Sequence, residues 1–212
     1  MRIYIPCDAA ALATGADKIA AAVAAEATKR DVQVQIIRNG SRGMFWLEPL
    51  VEIVTPQGRI GFGPMTLQDV PGLFEAPDSH PKAVGLVEEI PFFAKQQRLT
   101  FARCGVIDPL DLGEYVAHGG YVGLSHAIKL GSAGICAEVK ESGLRGRGGA
   151  GFPTGVKWET VRTAHADQKY VVCNADEGDS GTFADRMMME GDPFCLIEGM
   201  TIAGLATGAT KG

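Results

Sequence analysis

Residues 50–62 read LVEIVTPQGRIGF, two short runs of alternating apolar residues separated by the turn sequence PQG. Alternation with a period of two is typical of a half-buried strand, and proline and glycine favour a turn. The pattern predicts a β-hairpin, because two such runs are joined by only a few turn residues. The side chains expected to face one another across it are Val51, Ile53, Ile60 and Phe62.

The segment before this hairpin predicts a strand, a helix and a second strand. Residues 2–6 (RIYIP) alternate, and the alanine-rich run 9–29 places apolar residues on one helical stripe. Residues 31–38 (DVQVQIIR) alternate again, and Asn39-Gly40 follows as a turn signal. Two strands joined through a helix are expected to be parallel. The order βαβ, then ββ, is that of a thioredoxin-like domain.

A proline-rich stretch from 64 to 91 contains a short helical candidate at 83–89 and suggests a domain boundary near residue 95. The sequence therefore predicts an α/β protein with a degenerate thioredoxin-like domain at 1–95 and a second domain over 96–212. In the second part, the patterns predict an extended segment at 99–108, two helices broken at Gly119-Gly120, a buried strand at 169–174 and a final helix whose apolar face comprises Leu196, Ile197, Met200 and Leu205.

Composition argues against several classes of function. The net charge is −5 without a basic block, so nucleic acid is not an expected partner. No apolar run approaches the roughly 18 residues that a membrane span needs, and the first residues lack a secretory pattern. We therefore expect a soluble cytoplasmic protein. The five cysteines are widely separated, without a CxxC pair, so no metal or iron–sulfur site is expected in this segment.

The sequence GRGGAG at 146–151 satisfies GxGxxG literally, with Asp176 further along the chain. A dinucleotide fingerprint needs a strand directly before the glycines and a helix directly after them. KESGLR precedes them and FPTG follows, so we do not expect that fold, and no P-loop spacing is present. Backbone N–H groups of such a loop can still approach a phosphate or a flat ring, with Arg145, Arg147 and Lys157 supplying positive charge. The alternative is a surface loop without a ligand.

The sequence NADEGDSGTFADR collects carboxylates after the strand expected at 169–174. Grouped carboxylates repel one another unless they are solvated or bind something. The spacing does not match a calcium-binding EF-hand. Two interpretations remain, a solvated acidic turn or a group of acceptors for the N–H and hydroxyl groups of a nucleotide cofactor.

Two linked segments, 141–158 (ESGLRGRGGAGFPTGVKW) and 170–193 (YVVCNADEGDSGTFADRMMMEGDP), closely resemble the flavin-binding subunit of respiratory complex I and its relatives. Those relatives are the diaphorase subunits of NAD-reducing hydrogenases and of NAD-dependent formate dehydrogenases. LIEGM at 196–200 and the stretch 105–128 extend the likeness, which covers about residue 98 to the end. The resemblance implies an α/β FMN-binding domain that exchanges a hydride with NAD(H) and single electrons with iron–sulfur clusters.

The resemblance also implies roles for individual residues. The flavin would be lined by Gly146, Arg147, Gly148 and Gly149, with Lys157 on its phosphate side. Flavin polar atoms would be contacted by Asn174, Asp176 and Glu177, while Phe152 would stack on the adenine of NAD and Asp179 would lie near the nicotinamide. No protein side chain is expected to act as acid, base or nucleophile, because hydride transfer belongs to the flavin.

The leader sequences at 1–12 and 38–52 resemble the beta subunit of soluble, molybdenum-containing formate dehydrogenases. This implies two partners, a molybdenum-containing catalytic subunit and a small [2Fe–2S] thioredoxin-like subunit, and formate oxidation coupled to NAD reduction. Family members continue beyond this length, with a [4Fe–4S] cluster expected in the missing part, so the 212-residue chain alone is expected to be inactive. Two alternatives stay open: the same module in a hydrogenase or complex I, and a non-catalytic docking or scaffold fragment.

Overall fold

The computed structural model describes residues 1–212 and divides into two compact units. The first unit comprises Met1–Tyr115 and Phe183–Pro193, and the second comprises Val116–Thr182 and Phe194–Gly212. None of the helices is long and apolar enough to cross a membrane.

The first unit contains a five-stranded sheet. Its strands are β1 (Arg2–Tyr4), β2 (Gln35–Ile37), β3 (Val51–Thr55), β4 (Gly58–Phe62) and β5 (Ala83–Leu86), in the order β2-β1-β3-β4-β5. The β1–β2 pair is parallel and the other pairs are antiparallel. The predicted hairpin is confirmed, because Val51 pairs with Phe62 and Ile53 with Ile60. The mixed α/β class is likewise confirmed.

The predicted alanine-rich helix is two helices, α1 (Ala9–Thr14) and α2 (Ala16–Lys29). The carboxylate of Asp8 accepts hydrogen bonds from the N–H groups of the first turn of α1, which explains where that helix begins. Gly15 adopts a left-handed φ of 101° between them, a conformation that only glycine takes without strain. The two helices pack on the sheet through the largest apolar core of the chain, formed by Ile3, Ile5, Ala11, Ala16, Ile19, Ala20, Val23, Val51, Ile53, Phe62, Met65, Val70 and Leu73.

Three local predictions in this unit are wrong. Asn39 does not mark a turn; it is buried, and its amide donates to the carbonyl of Gly105 at 2.8 Å. The helix predicted at 83–89 is reduced to one turn of 3-10 helix at Val87–Glu89, because Ala83–Leu86 forms the edge strand β5. Pairing with β4 outweighs the local helical pattern there, because backbone groups gain ladder partners. Residues 99–108 form turns rather than an extended segment.

A buried ion pair joins the loop after β2 to β3. The guanidinium of Arg42 donates two hydrogen bonds to the carboxylate of Glu52, at 2.6 and 2.9 Å, and both side chains are fully buried. Arg59 donates to the same carboxylate at 3.2 Å. Breaking such a pair leaves a charge without compensation in the interior, which is strongly destabilising.

The remaining elements of the first unit are short helices. They are α3 (Gly72–Glu75), α4 (Pro91–Ala94), α5 (Leu112–Ala117, which reaches the unit boundary) and α8 (Ala184–Gly191), with 3-10 helices at Phe45–Leu47 and Pro77–Ser79. Helix α8 belongs to this unit although it lies between the two segments of the second unit along the chain.

The second unit is built from α6 (Val122–Glu141), α7 (Thr154–Thr163) and α9 (Pro193–Thr207). The predicted pair of helices around Gly119-Gly120 is confirmed as α5 and α6. Helix α6 is interrupted at Gly131, whose φ of 68° and ψ of 172° are not helical. That break lets His126 and Glu138 approach to 2.9 Å, although they stand twelve positions apart on the helix. A small core formed by Ala127, Ile135, Cys136 and Ala206 holds the helices together.

One prediction in the second unit is wrong and another holds only in part. The predicted buried strand at 169–174 is exposed, with Tyr170 at 61% and Val172 at 83%, and its one bridge joins Tyr170 to Lys211. With this single bridge, the segment has too little surrounding sheet to cover its side chains. The predicted final helix is confirmed as α9, but its predicted apolar face is only partly covered. Leu196 and Met200 are partly buried, whereas Ile197 and Leu205 are exposed and line an open depression of about 440 Å³. The helix instead buries the smaller side chains of Ala203, Ala206 and Thr207, together with Glu198.

The two compact units do not divide at residue 95, because the first continues to Tyr115 and takes up Phe183–Pro193. The assignment of 1–95 and 96–212 to two domains of different ancestry stays a prediction.

Candidate functional site

The glycine-rich segment forms a loop closed by its own backbone. The N–H of Gly146 donates to the carbonyl of Phe152, and the N–H of Thr154 donates to the carbonyl of Leu144, both at 2.9 Å. The guanidinium of Arg145 adds a hydrogen bond to the carbonyl of Gly151, also at 2.9 Å. These bonds hold the ends of the segment together as a short antiparallel bridge. The loop is therefore a defined structural feature with exposed glycines at its tip.

Two glycines of the loop take positive φ, 103° at Gly149 and 60° at Gly151, so their identity follows from the backbone. Gly148 differs, because its φ lies outside the left-handed region and a Cβ there would meet no atom within 4 Å. Nothing within this chain requires glycine at that position. Close approach of a flat ring or phosphate to the backbone is a reason that fits, so the loop is compatible with the predicted flavin.

A helix begins directly after the loop, contrary to the sequence analysis. The expectation that no helix follows the glycines is wrong, because α7 starts at Thr154. That part of the argument against a dinucleotide fingerprint therefore fails. The other reason holds, since the end of α6, rather than a strand, precedes the glycines. The first N–H groups of a helix carry partial positive charge and favour an anion nearby. The start of α7 therefore adds to the positive potential of the loop.

Lys157 lies in the first turn and a half of α7, and Arg147 lies at the loop tip. Both side chains are exposed, and neither makes an ion pair with a carboxylate in this structure. Cations without internal partners can bind an anionic ligand without first breaking a salt bridge. The structure thus places Gly146, Arg147, Gly148, Gly149, Phe152 and Lys157 within one continuous loop-and-helix start.

The acidic segment is exposed and held by short-range contacts. The side-chain oxygen of Asn174 accepts a hydrogen bond from the N–H of Asp176 at 3.1 Å, and the carbonyl of Asp179 accepts one from the N–H of Thr182 at 3.2 Å. Glu177 has a φ of 50°, an uncommon conformation for a residue with a side chain. No hydrogen bond or ion pair joins Asn174, Asp176 or Asp179 to the glycine loop.

Phe152 closes the loop through its carbonyl, while half of its side-chain surface is exposed. An exposed aromatic ring beside a positively charged loop can stack on a nucleotide base. This position is compatible with the predicted adenine contact.

Two structurally important residues were not found from sequence. Gly155 packs so closely that a Cβ would lie 2.5 Å from the Cα and N of Lys140, which forces glycine where α7 meets α6. Glu198 on α9 accepts hydrogen bonds from the N–H groups of Tyr121 and Leu124, both at 2.8 Å, and so caps the start of α6. The GFPTG and LIEGM motifs contain these residues, but their roles depend on contacts that no local pattern encodes.

Comparison with known proteins adds independent evidence for the second unit. Residues 139–212, which include the glycine loop and the acidic segment, match the Nuo51 FMN-binding domain. This match covers about a third of the chain.

Three curated relatives are similar to the chain. The NADP-reducing hydrogenase subunit HndC of Solidesulfovibrio fructosivorans is 52% identical over 118 residues, which is 56% of this chain and 24% of HndC. A subunit of the NADH-quinone oxidoreductase of Rhizobium meliloti is 54% identical over 99 residues, 46% of this chain and 24% of that protein. The NAD-reducing hydrogenase HoxS subunit alpha of Cupriavidus necator is 51% identical over 78 residues, 37% of this chain and 13% of that protein.

The matched part of the chain thus spans about a quarter or less of the length of these relatives. Among solved structures, the crystal structure of NAD+-reducing [NiFe]-hydrogenase in the air-oxidized state aligns with 98% of this chain and 36% of that chain. Its sequence identity is 23% and its TM-score 0.41.

The predicted resemblance to flavin subunits of complex I and of NAD-reducing hydrogenases is supported by these similarities, and the family match supports the predicted FMN. The formate dehydrogenase assignment stays a prediction, as do the roles of the individual site residues.

Proposed function

We propose that the protein containing this chain exchanges a hydride between NAD(H) and FMN and passes single electrons to iron–sulfur clusters. The observation that carries the proposal is the FMN-binding-domain match over 139–212, which includes an open glycine loop with unpaired cations. FMN supplies the redox chemistry when bound. The residues of this chain bind it, orient it and set the local charge.

The glycine loop and the start of α7 are proposed to hold the phosphate end of FMN. Backbone N–H groups of Gly148 and Gly149 can approach the cofactor, since a Cβ on either would meet no protein atom within 4 Å. Arg147 and Lys157 would neutralise the phosphate charge, aided by the helix dipole.

The acidic segment is proposed to recognise polar atoms. Asp176 and Glu177 would accept hydrogen bonds from the N–H groups of the flavin ring, because ionised carboxylates act only as acceptors. The amide of Asn174 would contact flavin polar atoms as a donor or as an acceptor. Phe152 would stack on the adenine of NAD, and Asp179 would lie near the nicotinamide. For both halves to contact one cofactor, the FMN molecule would have to bridge them.

For the complex, we propose an NAD-dependent formate dehydrogenase in the cytoplasm, with formate and NAD converted to carbon dioxide and NADH. A cysteine-poor leader with the strand order expected of a thioredoxin-like domain supports this choice. The proposed partners are a molybdenum-containing catalytic subunit and a [2Fe–2S] thioredoxin-like subunit, with a [4Fe–4S] cluster on the remainder of this subunit. The second candidate is an NAD-reducing hydrogenase or complex I, and the names of the curated relatives support it, since they are hydrogenase and NADH-quinone oxidoreductase subunits.

The test is an anaerobic visible spectrum of the native complex, purified through this chain and recorded before and after formate, hydrogen or NADH is added. Bleaching of flavin and cluster bands by both formate and NADH would support the formate dehydrogenase. Bleaching by hydrogen and NADH would replace it with a hydrogenase, and bleaching by NADH alone would point to a complex I-type assembly. A complex without flavin absorbance would refute the proposed function.

A further inference from the structure

The first unit carries an exposed aromatic groove beside its outermost strand. Trp46 is 55% exposed and Phe92 44% exposed, and their rings meet edge to face with centroids 4.9 Å apart. The groove has a volume of about 340 Å³ and is lined by Trp46, Leu47, Val84, Gly85, Leu86, Glu89, Ile90 and Pro91.

The groove lies against a small apolar core, and some of its lining residues belong to that core. Met44, Leu47, Leu50 and Val87 form that core, with Val84 and Ile90 packed partly buried against it. Val84 and Val87 are held in place by β4, since a Cβ on Gly61 would lie 3.0 Å from a methyl group of each. The groove is therefore a firm surface, because its walls belong to a packed cluster rather than to a free loop.

Strand β5 is the last strand of the sheet, so its outer edge has no strand partner. An unpaired edge presents a row of N–H and C=O groups that can bind another extended chain. Here the open edge and the aromatic groove adjoin, because Val84, Gly85 and Leu86 belong to both. A strand added to β5 would place its own side chains against Trp46.

The charge of the groove indicates which kind of segment could bind in it. Glu89 is the one charged residue that lines the groove, and it is exposed without an ion pair. Its neighbour Glu88 contacts Arg42 at 3.2 Å and is half exposed. A second copy of this chain would bring two Glu89 carboxylates toward each other, which is unfavourable. A segment that combines a bulky apolar residue with a lysine or arginine complements both features.

We propose that β5 and the Trp46 groove bind an extended, apolar and basic segment of another subunit, which adds a sixth strand to the sheet. The inference rests on the proposed membership of a multi-subunit complex, but not on the flavin site. Main-chain hydrogen bonds along β5 would hold the segment, and the groove and Glu89 would select its side chains.

The experiment compares amide hydrogen exchange in the intact purified complex with exchange in the same subunit after it has been separated. We expect those amides of 83–86 that do not pair with β4 to exchange at least tenfold more slowly in the complex, because new ladder hydrogen bonds would protect them; Ala83 already donates to the carbonyl of His80. A photo-cross-linking residue at position 46 should then identify one basic, apolar segment of one partner subunit. Equal exchange at 83–86 in both samples would overturn the inference, and so would cross-linking to a second copy of this chain.

Two variants separate binding from folding. Trp46→Ala should weaken subunit association tenfold or more, since exposed tryptophans dominate interfaces, whereas Leu67→Ala removes a comparably exposed residue elsewhere and should change nothing. Glu89→Lys should weaken association several-fold, with Asp167→Lys as the charge-reversal control. Thermal unfolding confirms that each variant is folded.

The outcomes also distinguish this inference from the proposed function. Variants at the groove should leave flavin content and NADH oxidation by the isolated subunit unchanged. Protection of 83–86 in a complex without flavin would refute the function and retain the docking surface. Flavin reduction by NADH in a complex whose residues 83–86 are unprotected would retain the proposed function and refute the docking surface.

Discussion

Arg147 and Lys157 are cations placed beside an open backbone without an acidic partner. A folded chain rarely gains stability from such a placement, because exposed unpaired charges contribute little. We propose that an anionic ligand is the reason for their position beside the glycine loop. This interpretation can be tested one residue at a time.

The first prediction concerns this pair. Arg147→Gln and Lys157→Gln should each weaken FMN binding about tenfold, because each removes one charge-assisted contact to phosphate. The measurement is quenching of FMN fluorescence on titration with the full-length subunit. Lys129→Gln removes an exposed lysine of the same unit outside the loop and should leave binding unchanged. Equal effects of all three variants would mean that net charge, rather than the loop, controls affinity.

The second prediction concerns Glu48, a buried carboxyl in the first unit. Its oxygens accept hydrogen bonds from Ser41 and from the N–H of Leu50, both at 3.0 Å, but burial dominates and raises its pKa to about 7. Because the folded pKa lies above the unfolded value, the folded state binds more protons between pH 4.5 and 7. The contribution of Glu48 to stability is therefore full at low pH and is lost as pH rises toward 7.

Glu48→Gln should remove this pH dependence and raise the stability at pH 8, by on the order of 1 to 3 kcal/mol. The gain in stability should fall below about 3 kcal/mol, because glutamine has one acceptor oxygen and loses one of the two hydrogen bonds that Glu48 accepts. Urea unfolding at several pH values measures the slope. Glu89→Gln, at an exposed position, should keep the parent slope. A parent protein whose stability rises between pH 5 and 7 in parallel with the Glu48 variant would contradict the prediction.

At the scale of elements, the contact between α6 and α7 depends on a single missing side chain. The third prediction is that Gly155→Ala destabilises the second unit by roughly 1 to 3 kcal/mol, because the new Cβ would overlap the backbone of Lys140. Gly199→Ala on α9 provides the control, since a Cβ there meets nothing within 4 Å and alanine favours a helix. Thermal unfolding followed by circular dichroism compares the two. A Gly155 variant as stable as the parent would show that α6 and α7 shift apart without cost.

Gly148→Ala extends the comparison to the loop. It should leave thermal stability unchanged, because space is open around it, yet lower the flavin content of the purified subunit. Reduced stability with normal flavin content would refute a ligand-related reason for glycine at this position.

The fourth prediction concerns the start of α6. Glu198→Ala removes the acceptor for two helix N–H groups and should cost about 2 kcal/mol, with faster hydrogen exchange at Leu124. Glu198→Gln keeps one acceptor oxygen, so its stability should lie between those of the parent protein and the alanine variant. Unchanged exchange at Leu124 in the alanine variant would show that the cap is dispensable.

At the scale of the whole molecule, the second unit exposes apolar side chains that the sequence patterns predict to be buried. Tyr170, Val172, Ile197 and Leu205 are all exposed in this structure. Since the relatives extend well beyond the matched part, the fifth prediction is that the 212-residue chain alone binds FMN weakly and does not oxidise NADH. Co-expression with the remainder of the subunit should restore both. Restored assembly without flavin would favour the docking or scaffold alternative.

Sequence by itself determined the features that depend on neighbours along the chain. The hairpin at 50–62, the helix–strand order of the first unit and the break at Gly119-Gly120 follow from period-two patterns, turn residues and glycine. The glycine loop was also recognised, and its motif led to the flavin family that the comparison supports.

Tertiary structure alone decided the features that depend on distant partners. Residues 83–86 became a strand edge because β4 offered backbone groups to pair with, and 169–174 did not become a buried strand because the described chain offers one bridge there. Glu198 is buried because it meets the start of α6 across 74 positions, and α9 turns its small residues inward because they fit against that helix. Pairing and packing over long sequence distances are absent from any local pattern, which is why sequence alone could not predict them.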